Sequence, residues 1–281
     1  MQALFSTATL YGRSSLRALL RGHGRGVDER LVFVVGCPRS GTTFVGSSVG
    51  AQPGFVDLGE VHPLKQAIPR LVGLPDEEAA AKLRQILERV RRLGLVRHLR
   101  GVEQTPETSF VLTAALRAYP RARALHIVRD GRDVVCSLLE RGWLSAARTG
   151  ADDVGHPFGA RARFWVEPER AADFERLSDA ARAAYAWRRY VNAVRAVRER
   201  VLELRYETLV ADPAATAAHV AAHLHVDPEP LREAFAEAHG ESVGRWQRDL
   251  TEDQLRDVQT EAGELLAKLG YAQSSSRPSS S

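Results

Sequence analysis

The stretch that most constrains this chain is Leu31–Val35, five apolar residues that end in Gly36 and run straight into Cys37-Pro38-Arg39-Ser40-Gly41-Thr42-Thr43. So short and wholly apolar a run reads as a strand buried on both faces, as in parallel sheets. Thr43–Val49 behind it reads as a helix. A strand, a small-residue turn and a helix N-terminus bring several unpaired backbone N–H groups to one point, and the helix dipole adds positive potential there. The segment is therefore predicted to bind an anion. Gly41 lets the backbone approach closely, and the hydroxyls of Ser40, Thr42 and Thr43 add donors.

The same alternation continues along the chain. Phe55–Leu58, Ala124–Val128 and Val201–Tyr206 read as further strands. Between them, Asp76–Leu93 reads as a helix with Leu83, Ile86, Leu87 and Val90 on one face. Thr105-Pro106 is a helix start, another helix opens at about Arg132, and Leu177–Arg200 forms a long one striped by Ala184, Trp187, Val191 and Val194. Asp212-Pro213 and Asp227-Pro228 open short helices, and Thr251 with Gln254 makes a capping box for the last. Short apolar strands alternating with helices predict an α/β fold, a single domain with a central parallel sheet flanked by helices. Its bounds are read as residues 28–272, after an N-terminal helix or extension over 1–27 and before a disordered serine-rich tail over 273–281. Gly142–Gly159, glycine-rich and polar, is expected to be a mobile surface loop.

Composition excludes more than it assigns. The 39 basic and 35 acidic residues leave a net charge of +4, and no basic run is interleaved with aromatics, so nucleic acid is not an expected partner. An anionic small ligand fits that excess. No stretch approaches the length of a transmembrane span. Residues 1–27 lack acids and carry Arg13, Arg17, Arg21 and Arg25, vaguely like a transit peptide, although a short helix is the preferred reading. The two cysteines, Cys37 and Cys136, have no metal-ligand spacing and suit a reducing compartment, so a cytoplasmic location and no metal are expected. Gly36 and Gly41 have the separation of a nucleotide triphosphate loop, but Thr42 stands where that loop needs lysine, and Arg39 is its only basic side chain. The loop suits an anion other than ATP.

Pro38-Arg39-Ser40-Gly41-Thr42-Thr43 after an apolar strand closely resembles the phosphosulfate loop of sulfotransferases that use 3′-phosphoadenosine 5′-phosphosulfate (PAPS). Ala124–Glu140 resembles that family's 3′-phosphate segment, a strand ending in Arg129 with Ser137 on the next helix. Leu204-Arg205-Tyr206-Glu207 resembles the segment whose tyrosine contacts the adenine, and Ser242–Trp246 resembles a late loop that adds a basic contact, here Arg245. The resemblance spans about residues 31–271 and is closest to the bacterial and tyrosylprotein-type members. It implies a P-loop-like fold, PAPS as the sulfuryl donor, and cofactor contacts from Arg39, Ser40, Gly41, Thr42, Thr43, Arg129, Ser137, Tyr206 and Arg245.

Sulfuryl transfer to a hydroxyl or amine needs positioning, stabilisation of charge on the leaving oxygen, and a base near the acceptor. The resemblance implies Glu60 as that base; His62, two residues on, is the second choice because imidazole suits proton transfer near neutral pH, and Arg39, or a basic residue from 142–159, is the stabilising cation. Such relatives often carry a lysine after the third strand, where this chain has Gln104. A catalytically impaired PAPS-binding relative, and a P-loop kinase or NTPase, are the competing readings. The acceptor (small molecule, carbohydrate, lipid or peptide) falls to residues 61–100 and 142–190. Trp143, Arg148, Arg161, Arg163, Phe164 and Trp165 are the candidate pocket residues.

Overall fold

Val32–Val35 forms strand β1, fully buried at the centre of a five-stranded sheet in the computed structural model, which describes residues 26–197 and 199–271. Side chains alternate across a strand, and the core divides accordingly. Leu31, Phe33 and Val35 join one apolar cluster, Val32 and Val34 the cluster on the other face. Each such side chain contributes roughly 1.5–3 kcal/mol by leaving water. The other strands are β2 (Phe55–Gly59), β3 (Arg100–Glu103), β4 (Arg123–Val128) and β5 (Val201–Arg205), in the order β2-β3-β1-β4-β5, all parallel. The expected α/β architecture is therefore present, and β1 lies where the strand order reverses, with β3 on one side and β4 on the other. Ligands of open parallel sheets bind at the carboxyl ends beside such a reversal.

Helix α1 (Thr42–Gly50) follows β1, and α2 (His62–Leu71) and α3 (Asp76–Leu93) follow β2. After β3 the chain makes a short 3₁₀ turn, Pro106–Val111, and helix α4 (Leu112–Ala118). Helix α5 (Gly131–Arg141) follows β4, and after the irregular 142–167 segment come a 3₁₀ turn at Pro168–Arg170, the short α6 (Ala171–Phe174) and the long α7 (Asp179–Arg195). The chain closes with α8 (Tyr206–Ala211), α9 (Pro213–Leu224), α10 (Glu229–Phe235), α11 (Trp246–Asp249) and α12 (Glu252–Lys268). A third cluster seals α5, α7 and α12 together around Trp187, Tyr185 and Leu266. The Thr251–Gln254 capping box is formed, and Asp212 caps α9 through the Ala215 N–H.

Some boundaries differ from the sequence reading. The long helix α7 stops at Arg195, short of Arg200, whose φ of +61° is incompatible with helix. Tyr206 opens α8 instead of ending β5, which turns its ring toward the loop after β1. Helix α2 escaped the periodicity because Pro63 and Pro69 lie within it, and β3 because two of its four residues are charged. Those charges are nonetheless buried, Arg100 donating to the Leu224 carbonyl at 3.0 Å and Glu103 accepting from the Thr108 hydroxyl at 2.9 Å. The N-terminal extension and serine tail lie outside the described residues, apart from Gly26 and Val27.

Candidate active site

The loop after β1 is shaped by what lies close to it. A Cβ on Gly41 would stand 2.7 Å from the Tyr206 ring, and its φ of +101° belongs to the left-handed region. Only glycine lets the tyrosine close over the loop. Arg39 also holds a left-handed φ of +74°, a cost of order 1–3 kcal/mol that tertiary contacts must offset. Gly41 caps α1 without any side-chain bond, so the first N–H groups of that helix are not claimed by a cap. The Ser40 hydroxyl is buried with no hydrogen-bond partner. A buried donor without a partner is costly, and an anion oxygen would satisfy it.

Because β1 and β4 pair in register, with Val35 opposite His126, the loop after each strand emerges beside the other. Arg129 leaves β4 nearly buried. One of its guanidinium nitrogens lies 3.5 Å from the Arg39 carbonyl, its plane sits 4.9 Å from the Tyr206 ring centre, and its Nε has no partner. The Arg39 Nε donates to the Ser137 hydroxyl on α5 at 3.0 Å. Burial, then Arg141, then Arg129 lower the Arg39 pKa. Three cations thus crowd one spot, which like charges tolerate when an anion binds between them. Arg141 went unnoticed in the sequence. Its signal is the spacing of four from Ser137, which puts both on one helix face.

The late loop is held down from below. The Asp133 carboxylate on α5 accepts from the backbone N–H of Gly244 at 2.8 Å and of Trp246 at 3.1 Å, and Arg129 donates to the Ser242 carbonyl. Arg132 stacks on Trp246 at 3.7 Å. Arg245 does not point freely into the site. Glu140 and Asp249, the latter at 2.6 Å, hold its guanidinium. Thr42 is buried and Thr43 exposed, both in the first turn of α1.

Beyond the loop opens a cavity of about 360 Å³. Its wall includes Cys37 and Pro38 of the loop after β1, the charged Glu60, Lys65 and Glu107, and the aromatic Trp143, Phe158, Trp165 and Tyr190. Glu60 is thus in the cavity, bonded at 2.7 Å to Lys65. His62 is not among the lining residues. Its Nε2 lies 3.1 Å from Asp153. Of the proposed pocket residues, Trp143, Arg163 and Trp165 line the cavity. Arg148, Arg161 and Phe164 do not, Arg148 being stacked on Phe158 at 3.9 Å. The Gly142–Gly159 segment is irregular, as expected, but it contributes this wall and is tied by a bridge between Ala151 and Pro157.

Gln104 is turned away from the cavity, donating to Asp57 at 3.0 Å against Gly46. The cation here is Lys65, which sequence reasoning missed because α2 was missed. Burial alone would lower the pKa of its ammonium, but Glu107 and Glu60 outweigh burial and raise it. Glu107 was missed too. Burial pushes its carboxyl up to about 7, with Lys65 pulling the other way. Among the described residues no group of three or more His, Cys, Asp or Glu is placed to hold a metal ion.

The model of the Sulfotransferase family matches residues 32–230, most of the chain. The chain belongs to that family. A Caenorhabditis briggsae protein named "Putative protein-tyrosine sulfotransferase" is 28% identical over 127 residues, covering 40% of this chain and 44% of that protein. The chain therefore matches less than half the length of that curated relative. Two solved structures share the fold. The sulfotransferase domain of the curacin biosynthetic pathway aligns with a TM-score of 0.52 at 12% identity, over 85% of this chain and 98% of its own. A mouse sulfotransferase solved in complex with 3′-phosphoadenosine 5′-phosphate (PAP) aligns with a TM-score of 0.51 at 15% identity, over 94% of this chain and 93% of its own.

Proposed function

We propose that this family member transfers a sulfuryl group from PAPS to a hydroxyl or amine acceptor seated in the cavity beside Glu60. The observation that carries the reading is the cluster of Arg39, Arg129 and Ser137 at the carboxyl ends of β1 and β4, with the unpartnered Ser40 hydroxyl beside it. The first turn of α1 with Ser40, Gly41, Thr42 and Thr43 would hold the phosphosulfate, Arg129 and Ser137 the 3′-phosphate, and Tyr206 the adenine. PAPS supplies an activated sulfur that an acceptor oxygen can attack in line. Within the protein, Glu60 takes the acceptor proton, and Arg39 and Lys65 offset charge on the transferring oxygens.

Lys65 answers the deficit that Gln104 raised, since it brings a cation to the cavity from α2 instead of from the segment after β3. Binding without transfer is therefore the weaker reading. The kinase reading still lacks a lysine at Thr42. Glu60 is preferred over His62 because it lines the cavity, and Arg245 would reach the nucleotide only by exchanging its carboxylate partners. Residues 28–272 would act as the functional unit. The acceptor is a small molecule, carbohydrate, lipid or peptide. No helix among the described residues is long and apolar enough to cross a membrane. A cytoplasmic site of action is part of the proposal, supported by the free, buried thiols of Cys37 and Cys136.

Calorimetric titration with PAP, in parallel with ATP and magnesium, tests the donor. PAP should bind selectively, and Arg129→Ala should weaken it on the order of 100-fold, as expected when a buried charge-assisted contact loses its cation. Preference for ATP with magnesium would overturn the reading.

A further inference from the structure

The loop after β1 gathers cations, whereas the cavity beside it gathers carboxylates. Glu60, Glu107, Asp152 and Asp153 line it against only Lys65 and Arg163. Lys65 bonds Glu60 at 2.7 Å and its charge is shared with Glu107 and Asp152. Asp152 accepts backbone N–H bonds from Val154 at 3.1 Å and His156 at 2.8 Å, and Asp153 faces His62. Backbone amides carry no net charge, and burial lowers the His156 pKa, while four carboxyl groups in the lining stand against two cations. Glu107 is 5% exposed, and its Oε2 has no hydrogen-bond partner. Trp143, Phe158, Trp165 and Tyr190 line the same cavity, and aromatic faces attract cations.

We propose that the acceptor is a cationic alcohol, a hydroxyl compound whose protonated amine seats against Glu107, Asp152 and Asp153 while its hydroxyl reaches Glu60. The inference rests on the sulfotransferase reading and narrows it. An ammonium supplies N–H donors to the unpartnered Glu107 oxygen, and its charge favours the ionised form that burial opposes. A neutral acceptor leaves that deficit, and an anionic one adds like charge to it. In the reaction, a bond forms between the acceptor oxygen and sulfur as the bond from sulfur to the bridging phosphate oxygen breaks. The hydroxyl proton passes to Glu60, and the products are PAP and a zwitterionic sulfate ester. The amine keeps its proton, has no lone pair to offer, and is not sulfated.

The test uses hydroxyl compounds matched except for charge: tyramine, para-ethylphenol and para-hydroxyphenylpropionate; aminohexanol, hexanol and hydroxyhexanoate; glucosamine, glucose and glucuronate. Sulfate ester formation from PAPS is followed by mass spectrometry, and PAP binding is measured separately by calorimetry. The amine member should lead its set by about tenfold or more in kcat/KM, consistent with a close charge pair in a partly desolvated site. Its product should carry sulfate on oxygen. Glu107→Gln should cut that preference severalfold without changing PAP affinity. Asp153→Asn, at a half-exposed position where folding tolerates the change, should cut it less. Preference for the neutral or anionic member, equal use of all three, N-sulfation, or no turnover of any set by a chain that binds PAP would each overturn the proposal. Failure to bind PAP would instead remove the donor reading beneath it.

Discussion

The two sides of this site are built in different ways. The proposed nucleotide side uses two strand–loop–helix units, residues 32–50 and 123–141, each contiguous and brought together by parallel pairing of β1 with β4. The proposed acceptor side borrows single residues from far apart: Glu60 and Lys65, Glu107, Trp143 and Arg163, and Tyr190. A contiguous unit carries its geometry in its own backbone. A dispersed wall depends on how several helices and one irregular segment pack. Substitutions on the first side should therefore report on donor affinity, and those on the second on acceptor use.

The largest expected break in that comparison is Glu60→Gln. Loss of a positioned base commonly costs about 10²–10⁴ in rate, and turnover should fall in that range while PAP affinity measured by calorimetry holds. A comparable loss of PAP binding would merge the two sides into one. On the nucleotide side, Gly41→Ala forces a Cβ into the Tyr206 ring at 2.7 Å and keeps an unfavourable φ. PAP affinity should fall by roughly 10- to 100-fold, with a lower Tm, since such strain costs of order 1–3 kcal/mol. Unchanged affinity would show that the tyrosine does not cover the loop.

Asp133→Asn sharpens the picture more gently. The amide preserves size but weakens two bonds to the backbone of Gly244 and Trp246. Charge-assisted bonds are roughly twice as strong as neutral ones, so PAP affinity should drop about tenfold or less. Proteolysis after Arg245 should speed up. No change in either would mean the late loop is held by Trp246 packing alone.

The smallest effect concerns pH. Burial raises the Glu103 carboxyl pKa from its ordinary 4.5 to about 7. Between those values the folded chain holds a proton that the unfolded chain releases, so this carboxyl's contribution to stability declines as pH rises through that window. Glu103→Gln should make Tm fall less steeply than wild type between about pH 5 and 7 in thermal melts. Parallel slopes would mean that the carboxyl is ionised in the fold.

Much of this molecule was legible in its residues. The β1 loop was readable because a buried strand, two glycines and three hydroxyls follow one another without interruption, and Arg129 and Ser137 because they flank one strand–helix junction. Lys65 and Glu107 were not readable. They sit on α2 and in the 3₁₀ turn after β3, where prolines and buried charges hide the usual periodicity, and nothing local marks them as lining one cavity.

The sequence by itself determined the alternation of strands and helices, the tight glycine-bearing loop after β1 and the family, because each is set by neighbours along the chain: side-chain period, helix termini and backbone freedom at glycine. Only the tertiary structure decided that Gln104 turns toward Asp57 while Lys65 fills the cavity, that Arg245 is held by Glu140, and that Arg39 meets Arg141. Those outcomes depend on distances between segments that share no local pattern, and burial and charge act on them only after the sheet and its helices have packed.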